Sequence, residues 1–310
     1  MHSLFTLGAD NPLGHVVDKP LIGGGDSPML LSLHMVTLFV ATFLTLWVLS
    51  RAAKAITTGP ESEGSERYIT KGSLGQMIEV FCLYLREKVV RPQLGADTDR
   101  FIPYLWTVFF FILFNNLLGL IPLLDLQHLV GYLFWGDSHF AVVGGTATGN
   151  IAVTGALALV AFVVIQLNGI RQNGLMGYLK HYTAGSPVGL WPIMIPVEIL
   201  GTFIKPFALA IRLFANMVAG HTLLATILMF TKMALSGVGV FGGAPITIVA
   251  VVAAVAVTFL ELFVAMLQAY VFMFLVTVFI AQLSHHGHDD HAHEGHAHGH
   301  DHAHGHAPAH

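Results

Sequence analysis

Five side chains are chemically out of place in the run EILGTFIKPFALAIRLFANMVAGHTLL, which extends from Glu198 to Leu224. They are Glu198, Lys205, Arg212, Asn216 and His221, set among residues that are almost all apolar. A charged side chain at membrane depth costs about 2.5–3.5 kcal/mol on insertion scales, so it faces a protein interior, a partner or water, and by default it marks an ion path. At about 100° per residue, Glu198, Lys205 and Arg212, spaced seven apart, fall nearly on one line, and Asn216 follows Arg212 by one turn. His221, nine residues beyond Arg212, points to the opposite side. One face therefore carries a fixed cation and an amide. The other carries a group that titrates near neutral pH. Arg212 cannot escape by losing its proton, because a guanidinium stays charged to above about pH 12. Lys205 also admits a plainer role, snorkelling to a lipid headgroup, and Glu198 one at the interface near Trp191. The layout is that of a segment that handles protons.

A second such pair lies downstream. Glu261 and Gln268, seven apart and hence on one helical face, sit inside the apolar run from Ile246 to Leu283. The two runs are each too long for an upright crossing. Forty residues at 1.5 Å apiece measure about 60 Å, twice the roughly 30 Å hydrocarbon core. The first run must break near Pro196 or Pro206 or lie steeply tilted. The Gly-rich joint SGVGVFGGAP between the runs makes them a tilted antiparallel hairpin turning near Gly237–Gly243. His221 and Glu261 lie almost equally far from that turn, so they can meet as a relay.

The composition sets the class. The 310 residues are 55% hydrophobic and only 10% charged, with mean hydropathy +0.70, against about 25% charged in soluble domains. This is an all-α integral membrane protein. Cys82 is the one cysteine, which excludes an internal disulfide and a cysteine metal cluster. No GxxxxGK[ST] loop is present, so nucleotide chemistry is not expected. Nor is a cofactor, a nucleic-acid partner or catalysis by this chain.

In chain order, residues 1–28 are polar and Gly/Pro-rich, and Met29–Leu49 reads as the first span. Arg51, Lys54, Arg67, Lys71, Arg86, Lys88, Arg91 and Arg100 come after it, and the positive-inside rule places this region in the cytoplasm and the N-terminus outside. GPESEGSE is a linker by composition. LGQMIEVFCLYLREKVV carries the apolar stripe Met77, Val80, Phe81, Tyr84, Leu85 and Val89 opposite Glu79, Arg86, Glu87 and Lys88, so it reads as a helix on the inner membrane surface or against a partner. Pro103–Leu124 is the second span, with Asn115 and Asn116 inside it suited to helix–helix hydrogen bonds. An outer loop without Lys or Arg precedes the third span, Thr146–Leu167, which holds Thr148, Asn150 and Thr154 near its outer end. Five crossings leave the C-terminus inside. Residues 1–284 form one membrane domain. Residues 285–310, with twelve of the 19 histidines, are expected to be a disordered tail. Its His-x-His spacing, as at His291, His293, His296 and His298, suits weak binding of Zn²⁺, Ni²⁺ or Cu²⁺.

The string RLFANMVAGH, with KP upstream and LELFVAMLQAYVF downstream, resembles subunit a of the F-type ATP synthase membrane sector. NLLGLIP in the second span and GNIAVTGALAL in the third extend the likeness over most of the chain. The resemblance implies a non-catalytic stator subunit whose tilted hairpin faces a ring of c subunits, beside the b subunits of the peripheral stalk. It implies an energy-transducing membrane, such as a bacterial inner membrane. The family's essential arginine matches Arg212, its amide partner Asn216, and the glutamine of its last helix Gln268. Many bacterial relatives have an acid after the A-G pair and a histidine seven before the glutamine. Here His221 and Glu261 stand interchanged, which suggests a facing acid–base pair. The third-span aspartate of some relatives matches Asn150, which cannot titrate. Two rival readings stay open on the residues alone. One is a secondary transporter using Arg212 to bind an anion, although no internal repeat is visible. The other is a metal transporter suggested by the tail.

Overall fold

The computed structural model describes residues 20–24, 27–55, 70, 72–121, 147–181 and 188–292. Helices account for nearly all of it. The one sheet among these residues is an antiparallel hairpin of β1 (Pro20–Gly24) and β2 (Ser27–Ser32). That hairpin corrects the start of the first span. Met29 to Ser32 pair as a strand, and helix α1 covers Leu33–Ala55. The cause is local: Ser32 caps the helix, its Oγ accepting from the Met35 amide at 3.3 Å, and this satisfies one of the otherwise unbonded N–H groups of a helix start.

Helix α2 (Ser73–Tyr84) runs into a π-helical turn, Leu85–Val90, and then a short α3 (Arg91–Leu94). The π turn adds a residue to the helical repeat and rotates the residues beyond it. The expected single stripe is therefore split. Leu85 and Val89 are buried, whereas Met77, Val80, Phe81 and Tyr84 stay exposed, and Ile78 and Gly75 take the inward positions. Arg86 ties this segment to the next helix, its Nη2 standing 2.6 Å from Asp99 Oδ1, and Glu87 bridges Arg86 and Arg91. Helix α4 (Thr98–Leu120) is the second span.

The third span also starts later than expected. Ala147–Gly149 form a buried 3₁₀ turn and α5 begins at Ile151, continuing to His181 with a break at Gly174. Asn150 is its cap. The Oδ1 of Asn150 accepts from the Ala152 amide at 2.9 Å, and its carbonyl accepts from Val153 and Thr154. That is a structural role for a residue whose sequence position made it a candidate for the proton path.

The last element, α6 (Trp191–Ala292), is two helices meeting at Gly239 (φ 72, ψ 178). Its arms, Trp191–Gly237 and Gly243–Leu283, are 47 and 41 residues long. The first arm keeps helical backbone through Pro196 and Pro206, so of the two expected alternatives the unbroken one holds, and at about 1.5 Å per residue it is too long to cross upright. The helix continues to Ala292, eight residues past Ser284 and into the stretch expected to be disordered. The GPESEGSE linker, the outer loop, and His293, His296 and His298 lie outside the described residues. Among those described, five helical stretches are long and apolar enough to cross a membrane, the number counted from sequence.

The core sits where the far half of the second arm packs on α4 and α5. Phe272, Met273, Val276 and Ile280 meet Leu105 and Ile112 of α4 and Leu209 and Leu213 of the first arm, all essentially buried. Ala265 and Ala269, one turn apart and fully buried, let the backbones approach closely. Small residues of this kind govern helix association in lipid, where burial of apolar surface supplies little drive. Asn116 uses that approach: its Nδ2 reaches the Ala265 carbonyl at 3.4 Å while its Oδ1 accepts from Thr148 at 3.0 Å. Helix α4, the 3₁₀ turn and the second arm are thus pinned at one buried point.

Candidate functional site

The site is built on the two arms. Arg212 is exposed on the first arm, as are Ala208 and Asn216 one turn to either side, and no carboxylate among the described residues forms a salt bridge with it. Leu209 and Leu213, about 60° and 100° round the helix from Arg212, are buried and hold that flank against the core. The helix therefore presents a guanidinium outward from a bare apolar surface.

One turn on, Asn216 Nδ2 donates to Gln268 Oε1 at 2.8 Å. This hydrogen bond joins the arms and brings together two of the residues singled out from sequence. Gln268 is 3% exposed, and its Nε2 has no hydrogen-bond partner among the described residues.

A further turn along, Gly220 faces Glu261. A methyl group on Gly220 would run into the carboxylate, with Glu261 Cδ and Cγ at 3.0 and 3.2 Å and Oε1 closer still. A larger residue here would push the Glu261 carboxylate out of the position it holds against the first arm. Glu261 is half-buried, with Oε1 enclosed and without a hydrogen-bond partner among the described residues. A buried carboxylate oxygen in that condition is costly unless it is protonated or hydrated, which suits a group that passes protons. His221, half-buried, is the next residue along. Gly220 escaped the sequence reading, although the small A-G pair before His221 was the available signal.

Glu198 and Lys205 are not part of this cluster. They line a cavity of about 380 Å³ between the first arm, α5 and the far end of the second arm, together with Gln166, Tyr178, Thr202 and Gln282. Lys205 Nζ donates to Gln282 Oε1 at 3.3 Å and stands 5.3 Å from the centre of the Phe279 ring. Tyr178 donates to Gln166 Oε1 at 2.8 Å. Gln166, Tyr178 and Gln282 were missed from sequence, although Gln166 is a polar residue inside the third apolar run. Along the first arm the cavity reaches Leu209, just short of Arg212, and the Gly220–Glu261 contact lies beyond it. Two polar regions thus flank Arg212, about 10 Å away on one side and 12 Å on the other by helical rise. Asn150, at the cap of α5, belongs to neither. Among the described residues no group of three metal-ligating side chains occurs.

Comparison with known proteins agrees with the resemblance. The family model described as ATP synthase A chain matches residues 30–281. The chain is 44% identical over 229 residues to ATP synthase subunit a of Myxococcus xanthus, covering 73% of this chain and 66% of that protein. It is 38% identical over 286 residues to ATP synthase subunit a of Anaeromyxobacter sp. Fw109-5, covering 89% and 61%. It is 38% identical over 260 residues to ATP synthase subunit a 2 of Chlorobaculum tepidum, covering 83% and 65%. The chain spans just under two thirds of the length of each of these relatives.

Proposed function

We propose, for a chain that belongs to the ATP synthase A chain family, that it is the stator subunit forming two offset proton half-channels, with Arg212 coupling proton passage to rotation of a ring of c subunits. The observation that carries this reading is the order along the first arm: the Glu198–Lys205 cavity, then exposed Arg212, then Glu261 under Gly220. A carboxylate on each rotor subunit would be neutral while facing lipid, since charge in hydrocarbon is costly. Opposite Arg212 it would ionise, stabilised by the cation in a low-dielectric setting. A proton cannot pass straight through at that level, because the guanidinium repels it and offers no site that exchanges protons. Protons instead load on one side of Arg212 and leave on the other.

Glu261 and His221 serve the outer half-channel in this scheme. Asn216 and Gln268 hold the arms together at the Arg212 level, and the Glu198–Lys205 cavity serves the inner half-channel. The drive is about 2.3 kcal/mol per charge per 100 mV, plus about 1.4 kcal/mol per pH unit. The N-terminus lies outside and the C-terminus inside a bacterial plasma membrane by the distribution of Lys and Arg. The peripheral stalk's b subunits and the rotor ring are the partners. The chain itself catalyses no bond chemistry.

Two half-channels in series predict that closing either one limits flow. Passive proton conduction through membranes stripped of the catalytic head should fall by about tenfold or more in Glu261→Ala and, separately, in Glu198→Gln, with the subunit still assembled. Undiminished conduction in both variants would overturn the assignment.

A further inference from the structure

The cavity that holds Glu198 and Lys205 is bounded by a fold-back of α5. Helical backbone is lost at Gly174 (φ 69, ψ 168), in a region essentially reserved for glycine. The chain beyond it returns so that the Tyr178 ring lies against Gly169. A Cβ at Gly169 would stand 3.2 Å from that ring and 3.1 Å from Leu283 Cδ1. The Tyr178 hydroxyl donates to Gln166 Oε1 at 2.8 Å, twelve residues back along the same element. Just before the break, Asn173 Nδ2 donates to the Leu283 carbonyl at 2.8 Å and fastens the turn to the end of the second arm. Tyr178, Gln166 and Leu283 all line the cavity. The aromatic ring thus lies on this wall with its hydroxyl bonded to Gln166 and its edge in the clearance that Gly169 provides.

We propose that Tyr178 guards the cavity, setting how readily water and protons from the Arg171 end of the bundle reach Glu198 and Lys205. The proposal rests on the reading of this cavity as a half-channel. The ring is broad and apolar enough to interrupt a file of water, and its hydroxyl gives the closed position a defined partner. Swinging it aside breaks the bond to Gln166, so losing that bond shifts the balance from the closed position toward an open one. Tyr178 acts here through access and is a positioning residue. It need not exchange a proton itself.

The test reads access separately from proton flow. In membranes holding the whole complex, Cys82 is replaced by serine and a reporter cysteine is placed in the cavity by Thr202→Cys. A small membrane-impermeant thiosulfonate is then applied from the side bearing Arg171. Tyr178→Phe keeps the ring and loses the bond, and it should speed labelling of this chain about fivefold, the population shift expected from one lost hydrogen bond. Tyr178→Ala should speed it further. Labelling rates unchanged from the parent in both variants would overturn the proposal, and where Tyr178→Ala does not assemble, Tyr178→Phe alone decides. Labelling that depends on Tyr178 while head-stripped proton conduction ignores it would uphold the guard and remove the half-channel reading of the cavity.

Discussion

At the scale of residues, the site depends on one charge, one amide pair and one missing side chain. In the proposed scheme Arg212 serves because it cannot neutralise itself. The Asn216–Gln268 bond, one turn away, fixes which part of the second arm stands behind it. Gly220 leaves the space that Glu261 fills, so the carboxylate approaches the first arm beside His221. We propose that His221 and Glu261 exchange protons as a pair. Single changes to His221→Ala and Glu261→Gln should each slow proton flux. If they act together, the double variant should cost less than the sum, with a coupling of about 0.5–3 kcal/mol as for residues in one network. The exchanged form, His221→Glu with Glu261→His, should recover part of the flux. Strict additivity without recovery would separate the two groups.

At the scale of elements, the hairpin is set by its turn. Gly239 has φ 72 and ψ 178, where a side chain is strained by about 1–3 kcal/mol. Gly239→Val should therefore lower the thermal resistance of the assembled subunit in detergent, whereas the helical Gly237→Ala, with open space around its Cβ position, should not. Equal effects of the two would contradict the turn assignment. This turn was legible in advance because a Gly-rich joint between two apolar runs has few other uses. The five crossings were legible from hydropathy, and the Arg212–Asn216 face from helical periodicity. Other features were not. The π turn at Leu85–Val90 leaves no compositional mark, so the α2 stripe looked continuous. The start of α1 depended on Ser32 capping, which competes with an apolar run that begins earlier. The Glu198–Lys205 cavity joins α5 to both arms, and such long-range contacts have no period to read.

At the scale of the whole molecule, most of the hairpin is left bare. In their most apolar windows the first arm is 11% buried and the second 6%, with Phe203, Phe207, Val249, Val252, Phe259 and Phe263 widely exposed. We propose that this bare apolar face, with Arg212 and Asn216 set in it, is the surface that meets an apolar rotor carrying one acid per subunit. We propose that residues 285–310 are dispensable for coupling: their deletion should leave proton pumping intact and abolish retention of Zn²⁺ by the chain, a retention that weakens below about pH 6.5 as protons compete for imidazole. Loss of pumping with normal assembly would contradict that.

We propose that the Arg212 charge, standing between two half-channels, makes proton passage obligatory with rotation. It is tested most directly by ATP-driven proton pumping in vesicles holding the assembled complex with Arg212→Ala. Pumping and ATP synthesis should be lost while the subunit remains in the complex, and Arg212→Lys should restore little, because an ammonium lacks the planar fork and can give up its proton. Pumping by Arg212→Ala at the parent's rate would contradict it.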